Sequence, residues 1–398
     1  MKRIISTAVL ALPGLAFAAP NAATVPWVAT NPNIPHDIIS GQATRLKGGE
    51  IPAIVAGNKV YTAATYEWDF GDGTTSGVRP APADKRLMAM DHTYNAPDGS
   101  LITARLTVCD AGGDCDSAIY RLAVRQRTLE VETNIAIDDG LWYLHVNART
   151  TGQIIPSGGY NTRISATAAA VNAFEVHGHL PSGDRETNPY VDSVGGGLNW
   201  VLGTLQSRGL GNQAAGNPDS NGNGRYLSVA SGQEVYENGM VMDAIVASGN
   251  PNAVATVGVA NGDTYLNIVQ DLIDGYAYGQ MEHNAGDLAR RGSWYYTYGV
   301  GNNSAGGHAD NSASQWAAIG MIPAERQWGA IIPQWVKDQN LNAMDYTFQD
   351  GANGAECGTF GYSSRGYCPW GCAAVTPSGM VQLVMDGKGP GVPAFRGI

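Results

Sequence analysis

Three stretches of the chain, each opening on a helix rich in small residues and each closing on a glutamine, recur about every seventy residues. The small-residue members are SATAAAVNAFEVHGHL from Ser165, ENGMVMDAIVASGNP from Glu237 and DNSASQWAAIGMIPAE from Asp310. Their partners run to Gln206, Gln280 and Gln349, so the glutamines stand 74 and 69 residues apart. A repeat of this length predicts helical hairpins stacked on one another around a shared core, because no single hairpin can bury its own apolar face. In the second partner helix Leu266, Val269, Ile273 and Tyr276 share one face, with Asn267, Gln270, Asp271 and Asp274 on the other.

From Thr128 to the end there are 271 residues, room for just under four such hairpins. A fourth small-residue helix near Pro377 is not followed by a glutamine-terminated partner, so the array is read as open or the sequence as a fragment.

Upstream the pattern changes to short strands and turns: YTAATYEWDF, GDGTTSG, LITARLTVCD and SAIYRLAVR. Ala104, Leu106 and Val108 alternate with Arg105 and Thr107, the period of a half-buried strand. The division expected is a leader over 1–18, a linker over 19–34, a β-sandwich over 35–127 and a helical domain over 128–398. The leader has Lys2 and Arg3, an apolar run broken at Pro13-Gly14, and Ala16-Phe17-Ala18 as a small-residue site, the layout of a cleaved signal peptide. It predicts a secreted, cell-surface or periplasmic protein with no membrane span in its mature chain.

An oxidising compartment suits the five cysteines. Cys109 and Cys115 flank DAGGD in a strand-turn-strand pattern and are expected to clip a hairpin. Cys357, Cys368 and Cys372 form an odd set whose pairing the sequence leaves open, and their spacing does not suit zinc. Net charge is −11, and residues 128–398 carry 12 basic against 24 acidic side chains. Such a surface repels nucleic acid and favours neutral ligands or divalent cations.

Two resemblances follow. Trp68-Asp69-Phe70-Gly71-Asp72-Gly73, followed by His92-Thr93-Tyr94, resembles the polycystic-kidney-disease (PKD) domain, an immunoglobulin-like sandwich of many secreted bacterial proteins. This implies a binding or spacing module, with Trp68 and Phe70 in the core and Asp69, Asp72 and His92 in structural roles. The hairpin repeats resemble the α/α toroids of terpenoid cyclases and protein prenyltransferases, where a glutamine, a glycine and an aromatic residue close each unit. Here Gln280 corresponds with Gly292-Ser293-Trp294, and Gln349 with Gly358-Thr359-Phe360. The chemistry of those enzymes does not carry over. Ser312 stands where the prenyltransferase zinc cysteine would be, so no zinc is expected, and Asp138-Asp139 are read as residues at the start of the first helix.

Candidate sites sit in the loops. Asp219, Asn221 and Asn223, followed by Gly224, match the first half of a calcium loop, although position twelve is Ala230 and not Glu; a plain Asn/Gly turn explains the same residues. Glu282, His283, Tyr296, His308 and Asp310 are the candidates for acid/base work, and Trp294, Tyr295 and Tyr298 the candidates for stacking on sugar rings. For Asp310 the plain alternative is a helix N-cap. Two functions remain: an extracellular carbohydrate-active enzyme, lyase or hydrolase, or a non-catalytic protein binding a glycan or another surface ligand.

Overall fold

The computed structural model describes residues 19–155, 164–282, 291–301, 309–349 and 358–389; the leader over 1–18 lies outside them. By mutual contact the chain divides into a β-rich unit, 1–139 with 184–189, and a helical unit, 140–183 with 190–398.

In the β-rich unit a five-stranded sheet runs in the order His36–Ile39, Cys115–Arg125, Leu101–Asp110, Ala63–Asp69, Arg79–Pro80. The first pair is parallel and the others are antiparallel. Strand Leu101–Asp110 buries Ile102, Ala104, Leu106 and Val108 and turns the intervening residues outward, the alternation visible in its sequence. Complete burial of Leu106 and Leu122 contributes about 2 kcal/mol each. Trp68 is wholly buried, and its indole N–H donates to the Met88 carbonyl at 2.7 Å.

Around that tryptophan the polar residues serve the fold. Asp69 Oδ1 accepts from the Gly71 amide at 2.9 Å, and Asp72 Oδ1 accepts from the Thr74 amide and hydroxyl. His92 stacks on Phe70 at 3.9 Å while its Nε2 meets Asp72 Oδ2 at 2.7 Å. Cys109 and Cys115 are disulfide-bonded and face each other across the hairpin. The segment 19–34, expected to be a linker, instead supplies strand Ala22–Thr24, which pairs with Gly48–Glu50.

Asp138 and Asp139 also differ from expectation. They lie in the middle of helix Leu129–Val146, where neither can cap. Lys47, 1% exposed, pairs with Asp138 and reaches Asp139 Oδ1 at 2.7 Å, and His36 Nδ1 lies 3.4 Å from Asp138 Oδ2. Burial works to raise the Asp138 pKa, but the His36 and Lys47 partners outweigh it and hold the carboxyl at about 2.

In the helical unit the small-residue helices are Ile164–Val176, Glu234–Ala247, Asn311–Trp328 and Cys372–Met385, and each packs on the next. Their backbones approach closely because the contacts are glycine and alanine: a Cβ at Gly239 would stand 2.1 Å from the Trp316 carbonyl oxygen. The partner helices of the first three are Tyr190–Thr204, Tyr265–Gly279 and Gln334–Thr347. The fourth small-residue helix begins at Cys372, before the position near Pro377 that the sequence suggests. Helix Tyr265–Gly279 buries its polar face as well as its apolar one, since Gln270, Asp271 and Asp274 are covered together with Ile268, Val269 and Ile273.

Two of the repeat glutamines are tied into this framework. Gln280 donates to the carbonyls of Gly292 and Val336, and Gln349 donates to the sulfurs of Cys368 and Cys372, which are disulfide-bonded; Cys357 lies outside the described residues. No helix of the described residues is long and apolar enough to cross a membrane.

Candidate functional site

Asp310 ends the loop that precedes helix Asn311–Trp328 and caps it, accepting from the amides of Ser312 at 2.8 Å and Ala313 at 3.3 Å. The same carboxylate accepts two hydroxyls, Ser312 Oγ at 2.6 Å on Oδ1 and Tyr362 Oη at 3.2 Å on Oδ2. Ser312 Oγ also lies 2.6 Å from Tyr236 Oη and 3.0 Å from Tyr362 Oη. With its proton given to Asp310, the serine can accept from Tyr236, while the single Tyr362 proton is shared between Asp310 Oδ2 and Ser312 Oγ. One carboxylate, one serine and two tyrosines thus form a connected hydroxyl cluster.

Three chain segments bring it together. Tyr236 belongs to the first turn of helix Glu234–Ala247, Asp310 and Ser312 to the start of the next small-residue helix, and Tyr362 to the segment after strand Thr359–Phe360. That last segment is pinned by the Asn311 amide, which donates to the Tyr362 carbonyl at 2.9 Å, and by the Asn311 side chain, which donates to the Gly361 carbonyl at 2.7 Å. Tyr296 lies beside Tyr236, ring centres 5.4 Å apart, and Tyr295 stacks on Tyr296 at 4.3 Å. The aromatic loop is fastened to the same helix start by the Val235 amide, which donates to the Tyr296 carbonyl at 3.1 Å.

Burial pushes the Tyr236 hydroxyl well above the usual phenol range, and it pushes Tyr362 up to about 12 with the Asp310 charge adding to the effect. Tyr296 is raised as well, by burial first and then by Asp310 and Tyr295. At neutral pH these phenols keep their protons, so they donate hydrogen bonds and serve as acids more readily than as bases.

Of the residues singled out by sequence, Asp310 belongs to the cluster, and Tyr296, with Tyr295 stacked on it, lies beside Tyr236. Trp294 and Tyr298 do not offer stacking faces. Both are buried: the Trp294 indole donates to the Tyr276 carbonyl at 2.8 Å and Tyr298 accepts from Asn238 at 2.8 Å, so they seal the hairpin from inside. Glu282 is buried apart from the cluster's hydrogen bonds, its Oε1 accepting from the Ala215 amide at 3.0 Å. His283 and His308 lie outside the described residues. Sequence reasoning does not single out Tyr236, Ser312 or Tyr362 as members of a site. The one sequence signal for them was the place of Ser312, two residues into the helix after Asp310.

The calcium candidates form a turn satisfied within the protein. Asp219 Oδ1 accepts from the amides of Gly222 and Asn223, and its Oδ2 from that of Gly224. The side-chain amides of Asn221 and Asn223 both donate to Asp271 Oδ1, at 2.7 and 2.8 Å, and Arg225 closes on Asp271 Oδ2 at 2.9 Å. The side-chain oxygens of Asp219, Asn221 and Asn223 thus accept N–H groups of the loop itself, the pattern of an Asn/Gly turn. Among the described residues no cluster of three His, Cys, Asp or Glu side chains suits a metal ion.

No protein-family model matches the sequence, and the comparison with curated proteins found no match. Among solved structures, the β-rich part is similar to a PKD domain of an M14-like peptidase from a Thermoplasmatales archaeon, at 14% identity over 28% of this chain and 100% of that one, TM-score 0.21. It is also similar to the PKD1 domain of the Vibrio cholerae metalloprotease PrtV, at 20% identity over 28% of this chain and 100% of that one, TM-score 0.17. A polysaccharide lyase is similar over 82% of this chain and 40% of its own length, at 10% identity and TM-score 0.22.

Proposed function

We propose that the chain is a secreted protein that engages an extracellular polysaccharide through the Asp310, Ser312, Tyr236 and Tyr362 cluster, with Tyr295 and Tyr296 beside it. The observation that carries this reading is the convergence of a carboxylate and several hydroxyls with aromatic rings at adjacent helix starts. Sugar hydroxyls need paired donors and acceptors, and sugar C–H faces need aromatic walls. As a lyase or hydrolase, Asp310 would be the proton acceptor and Tyr236 the proton donor at the reacting bond. In the same reading the β-rich unit is an immunoglobulin-like PKD spacer and the helical hairpins are an α/α toroid. The row of small-residue helices, each packed on its successor, supports the latter.

A non-catalytic binder is the second reading, favoured by the capping role of Asp310, whose carboxylate is already engaged by two amides and two hydroxyls. The test is a panel of soluble polysaccharides, scored for gel retardation and for new reducing or unsaturated ends. Asp310→Asn, which keeps a good helix cap, is expected to abolish turnover by an enzyme with little change in melting temperature. Retardation without product from the wild-type protein selects the binder, and neither signal with any polysaccharide rejects the glycan reading.

A further inference from the structure

Of the nine tryptophans, Trp370 is the one with most of its side chain in water, at 67% exposed. It sits in the turn Cys368-Pro369-Trp370-Gly371-Cys372, closed on itself by the Cys368 to Cys372 disulfide. That turn is fastened from below by the buried Gln349, whose side-chain amide donates to both sulfurs, and from within by the Gly371 amide donating to the Cys368 carbonyl at 3.0 Å. The indole meets the Tyr362 ring edge-on, centres 4.9 Å apart and planes at 77°, and the Tyr362 hydroxyl is the one that donates to Asp310. Tyr367, 52% exposed, meets the same Tyr362 ring from another direction at 6.3 Å.

An isolated exposed tryptophan needs no explanation. This one is held in a covalently closed turn, one ring away from a carboxylate that already accepts two hydroxyls. We propose that Trp370 is a preorganised stacking platform for one pyranose ring of the bound polysaccharide, a subsite next to the Asp310 cluster, and that the Cys368 to Cys372 disulfide keeps it in place. The inference rests on the glycan reading of that cluster. An indole face covers the C–H face of a sugar while leaving its hydroxyls to polar groups, and a turn fixed beforehand spares the ordering cost of a mobile one.

The test uses native gels containing xylan, galactomannan, mixed-linkage β-glucan, polygalacturonate or alginate, one polysaccharide per gel, with the full-length oxidised protein. Trp370→Ala is expected to weaken retardation about five- to tenfold in the gel that retards wild type, the size of one aromatic contact. Trp370→Tyr should retain most of the binding, and both variants should melt with wild type because the side chain is exposed. Replacing Cys368 and Cys372 together by Ser should weaken binding by a smaller factor; wild-type binding in that variant overturns the role given to the disulfide. Equal retardation of wild type and Trp370→Ala overturns the platform and leaves the glycan reading standing. Retardation of neither protein in any gel overturns both.

Discussion

The Tyr236 hydroxyl lies 2.6 Å from Ser312 Oγ, which joins the first turn of one small-residue helix to the first turn of the next. Because Ser312 donates its own proton to Asp310, Tyr236 donates to Ser312 and ends the chain, and its proton reaches a ligand only by turning from the serine. Tyr236→Phe is expected to lose binding or turnover of the polysaccharide while costing about 1 kcal/mol of stability, the worth of one hydrogen bond. Urea denaturation beside the gel assay checks both numbers. A loss of several kcal/mol, with function following only the folded fraction, would make the hydroxyl a packing element.

Gly292 has φ +90, and a Cβ there would stand 1.7 Å from the Gln339 carbonyl oxygen. Its own carbonyl accepts from Gln280 and Asn340, so the backbone cannot withdraw without breaking both bonds. Gly292→Ala should therefore destabilise the helical unit by at least about 2 kcal/mol, from a strained φ and a backbone clash together. A melting temperature within a degree of wild type would contradict the close approach.

Glu175 is 5% exposed and neither carboxyl oxygen has a hydrogen-bond partner among the described residues. Burial, with the Asp243 charge adding to it, pushes this carboxyl up to about 9 from its ordinary 4.5. The folded protein then keeps a proton that the unfolded chain releases above pH ~4.5, so this group's contribution is full below that pH and is lost as pH rises toward 9. Glu175→Gln removes the loss. Compared by denaturation at pH 8, about 3.5 pH units above the unfolded pKa, the variant should be more stable than wild type by about 5 kcal/mol, and at pH 4 the two should agree. A variant less stable at both values would mean that the carboxylate has a partner.

For the turn at Asp219, Asn221 and Asn223, melting in a chelator and in millimolar calcium should agree, since binding only to the folded state must raise stability by mass action and the turn's oxygens are already engaged. Asp271→Ala, which removes the acceptor of both asparagine amides and of Arg225, should by contrast destabilise the unit by about 3 kcal/mol. A calcium-dependent rise in melting temperature would restore the cation loop.

Local periodicity and composition were enough to read the strand Leu101–Asp110, the small-residue helices and their glutamine-terminated partners, and the aspartate cap at 310, because each is set by residues adjacent in sequence. What Asp138, Asp271 and Trp294 face was decided in three dimensions. Asp138 is claimed by Lys47 from a strand-rich region 91 residues away, and Asp271 by a loop 46 to 50 residues upstream. Trp294, with the composition of an exposed platform around it, is drawn inward because its indole N–H finds the Tyr276 carbonyl. The hydroxyl cluster itself joins positions 236, 312 and 362, separations of 76 and 50 residues; the repeat sets 236 and 312 in the first turns of successive helices, but nothing in the sequence says that their hydroxyls meet or that 362 joins them. Periodicity records which face of an element is apolar, but the partner of a polar side chain is fixed only when packing removes water and leaves it one neighbour to bond.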